Sequence, residues 1–128
     1  MDELISRIVA ATGLSEELAR KAVGIILAFL QKEGPAAEIN ELMAAMPGAQ
    51  DLANAESGAK GGMLGAIGGL MGGGGGVMAL GGQLMGAGLS MPQIQTVSKQ
   101  MFAFGREKAG EDTMGAIVGA IPGLGQFV

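Results

Sequence analysis

Residues 13–34 read GLSEELARKAVGIILAFLQKEG, and the opening letters return as Gly88-Leu89-Ser90 at the head of the stretch 88–110. In both places a glycine suited to end one helix is followed by a serine suited to cap the next. After Ser15 the apolar residues recur at three- and four-residue spacing up to Gly34, which is the pattern of an amphipathic helix. The two stretches therefore predict one helix–turn–helix element twice, 75 residues apart.

The offset of 75 residues extends along the chain, since Ala45-Met46-Pro47-Gly48 returns as Ala120-Ile121-Pro122-Gly123. We interpret residues 1–53 and 76–128 as two copies of a three-helix unit, joined by a glycine-rich insert at 54–75 that is partly helical. The predicted fold class is all-α, with both units packed as one helical bundle and one compact domain. The helix stops and caps place helices at about 2–12, 16–33, 36–46, 61–71, 77–87, from the Ser90 cap to 108, and 112–120.

The composition bounds the chemistry that the chain can perform. Its 128 residues include no His and no Cys, which removes the usual general base, thiol nucleophile and zinc ligands. We therefore predict a non-enzymatic protein with no catalytic residue, no cofactor and no metal site. The net charge is −4 and the basic residues are scattered, so we expect no nucleic-acid partner. The start, Met1-Asp2-Glu3-Leu4, lacks the features of a secretory signal, which favours a cytoplasmic location.

No charged residue lies between Lys60 and Lys99. Large and small residues alternate there at helical spacing, and small residues four apart allow helix backbones to approach closely. A helix at 77–87 without charge is expected to be covered on all sides, by the rest of the chain or by a second chain. The predicted packing or self-association surface consists of Met63, Ile67, Leu70, Met71, Val77, Met78, Leu84 and Met85.

Three functions are compatible with this surface. The first is a structural or protein-interaction module whose partner is a second copy of the chain or another helical protein. The second is a membrane-associated protein resembling a glycine zipper, in which about 61–90 enters the bilayer and the protein is located at the membrane. The third is a carrier of a small apolar ligand in a cavity lined by methionine and glycine.

A family resemblance follows from the spacing of helix stops and apolar positions. The pattern Ile8-Val9-x-x-x-Gly13-Leu14-Ser15, then Ala22-Val23 through Leu30, then Glu38-Ile39-x-x-Leu42 and Met46-Pro47, resembles an uncharacterised bacterial helical family. That family is the domain of unknown function of type 2267, allied to type 2780. The resemblance implies an all-helical fold and a bacterial origin, and it brings no activity and no functional residue.

Overall fold

The computed structural model describes residues 2–53, 76–121 and 124–126, with the backbone alone at 76–79 and 126. Every regular element in these ranges is helical, which confirms the predicted all-α class. The predicted helix at 61–71 lies outside the described residues. The helices are α1 (Asp2–Thr12), α2 (Glu16–Glu33), α3 (Ala36–Ala45), α4 (Gly76–Ala87), α5 (Met91–Ala109) and α6 (Glu111–Ala120), with a helical segment at 49–53 and a 3-10 turn at Leu124–Gln126.

Local chemistry explains where the helices begin and end. Gly13 has a φ of 76° and Gly88 a φ of 115°, a left-handed backbone that a side chain would strain. The Gly13 N–H donates to the Val9 carbonyl at 2.8 Å, which closes the last turn of α1. Ser15 then caps α2, because its Oγ accepts a hydrogen bond from the Leu18 N–H at 3.2 Å. The predicted glycine stops are therefore confirmed at both turns, and the predicted serine cap is confirmed at Ser15.

The helices of the two halves pack across one another. In each half the first helix lies on the second helix of the other half, so that α1 contacts α5 and α4 contacts α2. The third helices, α3 and α6, also contact each other, and the Thr113 hydroxyl donates to Glu41 Oε2 at 2.8 Å between them. The result is one helical bundle, as predicted, with a core shared by both halves. The largest fully buried side chains are Phe102, Leu4, Ile8, Ile26, Leu27, Leu30, Leu42, Met46, Leu80, Leu84, Ile94 and Met101.

The helix boundaries keep a nearly constant spacing between the halves. Each of α4, α5 and α6 begins and ends 74 to 76 residues after the corresponding end of α1, α2 or α3. The shared turn chemistry at Gly13 and Gly88 sets the first of these boundaries.

Ser98 provides a stability test of the core. Its side chain is 1% exposed, and its hydroxyl has no hydrogen-bond partner among the described residues. A buried hydroxyl without a partner is destabilising, so we expect Ser98→Ala to raise the free energy of unfolding by about 1 kcal/mol. Ser15→Ala is the matched control, because loss of the satisfied cap should lower the same quantity by about 1 kcal/mol. Urea denaturation followed by circular dichroism measures both; equal signs for the two variants would contradict this account.

Candidate self-association surface

The structure separates the residues of the predicted surface. Met63, Ile67, Leu70 and Met71 lie outside the described residues. Val77 and Met78 belong to α4, whose backbone is helical there, and their side chains are not described. Leu84 is fully buried in the core, whereas Met85 is 53% exposed. Of the eight predicted residues, the structure thus places one in the packed core and one on the surface.

The helix α4 has a buried side and an exposed side. Leu80 and Leu84, one helical turn apart, point into the core. Gly82, Gln83, Met85 and Gly86 are exposed. Packing against α2 and α5 buries one stripe of this uncharged helix. Cover of its other side by 61–71 or by a second chain concerns residues outside the described ranges or another molecule, so complete coverage stays a prediction.

The exposed side of α4 has an open, uncharged surface. A Cβ atom added to Gly82 or to Gly86 would meet no heavy atom within 4 Å. Beyond the turn at Gly88, Met91 begins α5 and is 46% exposed. We call the exposed residues Gly82, Gln83, Met85, Gly86 and Met91 the α4 surface.

Met91 was not part of the predicted surface, although the sequence carries a signal for it. It follows the N-cap Ser90, whose N–H donates to Gln93 Oε1 at 2.9 Å, so it occupies the first helical position. The buried residues Ile94, Val97 and Met101 repeat at three- and four-residue spacing farther along α5. Met91 lies three residues before Ile94 and so shares the spacing of the buried series. It is nevertheless exposed, because it is the first residue of α5.

The corresponding helix of the first half, α1, has a charged surface instead. Arg7 donates to Glu3 Oε1 at 3.0 Å and to Glu107 Oε2 at 2.6 Å, and the second acceptor belongs to α5. Arg20 pairs with Asp2 at 3.2 Å and with Glu16 at 2.9 Å. The helices α1 and α4 therefore differ in surface chemistry, one ionic and one uncharged.

Arg7 forms the centre of a cluster that joins α1 to α5. Its hydrogen bond to Glu107 holds the pKa of that carboxyl below its usual value and raises the pKa of Arg7. The guanidinium carbon also lies 5.4 Å from the centre of the Phe104 ring, at the same distance as Lys108 Nζ. Because Glu107 has a lowered pKa in the folded protein, its contribution to stability is present at neutral pH and is lost as the pH falls through that pKa.

Two shallow clefts of the described chain lie beside α1. One, of about 310 Å³, is lined by residues that include Asp2, Arg20 and Asp51. The other, of about 270 Å³, is lined by α1 residues and Glu16. Neither is lined by methionine, so neither corresponds to the cavity expected of an apolar-ligand carrier. In the described ranges no three acidic side chains come together as ligands for a metal ion.

The membrane alternative concerns residues 61–90, and 61–75 lie outside the described residues. In the part of the chain that the structure covers, each helix is too short or too polar to cross a bilayer.

Comparisons with protein-family models, with curated proteins and with solved structures find no match for this chain. The resemblance to the type 2267 family therefore stays a prediction that depends on the motifs quoted above. The chemistry of the candidate site has to be judged from its own residues. The α4 surface offers exposed methionine, two glycines with open space above them and one amide, and such groups are typical of contacts between helices.

Proposed function

We propose that this chain is a non-enzymatic helical protein that self-associates through the α4 surface. The observation that carries the proposal is the exposure of Met85 and Met91, which are 53% and 46% exposed. They are the large apolar side chains that remain exposed in the described ranges, and both belong to the uncharged stretch between Lys60 and Lys99. Exposed apolar side chains that share one uncharged stretch of the sequence favour association at that stretch.

The geometry of α4 suits contact with a second helix. Gly82 and Gly86 are one turn apart, and the space above both is open, so another backbone could approach closely. Met85 lies between them in sequence, and its flexible thioether side chain adapts to the shape of a partner. Gln83 is exposed beside Gly82, where its amide can both donate and accept a hydrogen bond. In a symmetric dimer Gly82, Met85 and Gly86 would meet the same surface of the other copy, whereas Gln83 lies about 200° around the helix from Met85 and would border the contact.

We further propose that the two halves are copies of one unit, related by the 75-residue offset. Corresponding positions of α2 and α5 are buried alike in both halves, for example Leu27 with Phe102 and Ile26 with Met101. The reciprocal packing of α1 on α5 and of α4 on α2 also supports an internal pseudo-twofold arrangement. By this correspondence the charged α1 matches the uncharged α4, with Gly82 at the position of Arg7.

Alanine substitution of the glycines tests self-association separately from folding. Gly82→Ala/Gly86→Ala should raise the free energy of unfolding of the monomer by about 1–2 kcal/mol, because both glycines are in a helix with open space above them. The same two methyl groups would keep a partner backbone away, so we expect the dissociation constant of the dimer to rise about tenfold. Sedimentation equilibrium measures the association and urea denaturation measures the stability.

Gly115→Ala/Gly119→Ala is the matched control for this experiment. These two glycines are also exposed, helical and four residues apart, but they belong to α6. A Cβ atom added to either would meet no heavy atom within 4 Å. The control should raise stability by a similar amount and leave the dissociation constant unchanged. Equal dissociation constants for both glycine pairs would contradict the assignment of the interface to α4.

A further inference from the structure

In the described part of the chain an ion pair joins the two halves, and it depends on which half meets which. Arg7 of α1 reaches Glu107 of α5 at 2.6 Å, across a separation of 100 residues in sequence. Around this pair, α1 is fixed to the bundle by apolar side chains such as Leu4 and Ile8, which are both fully buried. The apolar contacts hold α1 in place, and the ion pair requires in addition that the helix packed against Arg7 carry an acidic residue there.

The 75-residue offset shows what the alternative pairing would bring together. The position in α2 that corresponds to Glu107 is Lys32, which is exposed at the end of that helix. If two first halves packed on each other as the first half packs on the second, Arg7 of each copy would face Lys32 of the other. That pairing would place two pairs of like charges next to each other, which disfavours it. In the observed pairing Arg7 instead lies next to the acidic Glu107.

We infer that the surface of α5 that holds α1 also fits α1 of a second copy of this chain, so that two chains can exchange halves. The Arg7–Glu107 pair favours packing of a first half on a second half over packing of two first halves on each other. This inference depends on the repeat proposed above and does not depend on the α4 surface. Its basis is the reciprocal packing, in which each half completes the core of the other.

Two full-length charge-reversal variants test the exchange. In Arg7→Glu and in Glu107→Arg the α1–α5 contact within one chain opposes like charges. If the two variants exchange halves with each other, both contacts in the mixed dimer oppose unlike charges again. We therefore expect that unfolding an equimolar mixture in urea and refolding it together will give mixed dimers at about five times their statistical proportion to dimers of either variant with itself.

Native mass spectrometry with one variant isotopically labelled identifies the mixed dimer. The chain that carries both changes, Arg7→Glu/Glu107→Arg, is the control: refolded with labelled wild type, it should give no excess, because each chain is already matched within itself. Refolding the single variants together in about 1 M salt should also remove the excess, since surface charges are screened there. Both single variants are on the surface and should keep the helical circular dichroism of the wild type.

The outcome separates this inference from the proposed function. Association through the α4 surface is indifferent to residues 7 and 107, so it yields mixed and unmixed dimers in statistical proportion. An excess of mixed dimers that disappears in high salt supports half exchange. Statistical proportions, or refolding to monomers only, would overturn the exchange and leave the glycine experiment on α4 to decide self-association independently.

Discussion

The variant Leu84→Asp is expected to be unfolded. The Leu84 side chain is fully buried in the core, together with Leu80 on the inner side of α4. An aspartate there would place a carboxylate in an apolar environment without a partner, which costs several kcal/mol even if the group becomes protonated. Loss of the leucine contacts adds about 2–5 kcal/mol, and the whole stability of a domain is about 5–15 kcal/mol. Far-UV circular dichroism and a thermal melt should show lost helix and no cooperative transition.

Met85→Asp is the control, because it places the same carboxylate on the neighbouring residue, which is 53% exposed. It should keep the wild-type helical signal and a cooperative melt while weakening self-association. If Leu84→Asp melted as cooperatively as Met85→Asp, the assignment of Leu84 to the core and of Met85 to the surface would be wrong. The companion prediction from sequence, that Leu70 is a packing residue, lies outside the described residues.

Phe102→Ala is expected to produce the second large effect. Phe102, on α5, is 1% exposed and is one of the largest side chains buried in the shared core. Removal of a buried phenyl ring leaves a cavity as well as losing transfer free energy, so the free energy of unfolding should fall by about 3–5 kcal/mol. Urea denaturation gives this value from the midpoint, provided that the slope of the transition stays that of the wild type.

Phe102→Leu controls for the size of the cavity. Leucine keeps much of the apolar volume, and it is the residue at the corresponding position 27 of the first half. The loss should therefore be clearly smaller, about 1–1.5 kcal/mol. A loss below about 1 kcal/mol for Phe102→Ala would mean that this side chain does not fill the centre of the bundle.

The helices of this fold could be predicted from sequence because their ends are local. The stop at Gly13, the cap at Ser15 and the capping pair Ser90–Gln93 each involve residues within one turn. Such signals act over three or four residues and do not depend on the tertiary structure. Helix bounds in both halves accordingly agree with the predicted ones to within one or two residues.

The surface chemistry could be predicted only in part, because burial depends on how helices pack. The uncharged helix α4 gave no sign in sequence of which side would face the core and which side would be exposed within the described chain. The ion pair between Arg7 and Glu107 joins residues 100 apart, and neither residue belongs to a motif. Such a pair becomes visible only when the crossing of the two halves is known.

The opposite character of α1 and α4 gives the bundle two different faces. Ion pairs at Arg7 and Arg20 cover one face, and these exposed charges favour solvation. Glycine and methionine cover the α4 surface, where water is held less strongly. In the self-association proposed through the α4 surface, this difference would direct the partner to one face of the bundle and favour closed dimers over open chains.

The measurement that tests self-association most directly is the mass of the wild-type protein in solution, without detergent, over an about hundredfold dilution. Size-exclusion chromatography with light scattering should give a discrete mass above the 12.7 kDa of one chain, which falls toward that value on dilution. Heavy aggregation that detergent reverses would favour the membrane alternative. A mass of 12.7 kDa at every concentration would contradict the proposed self-association.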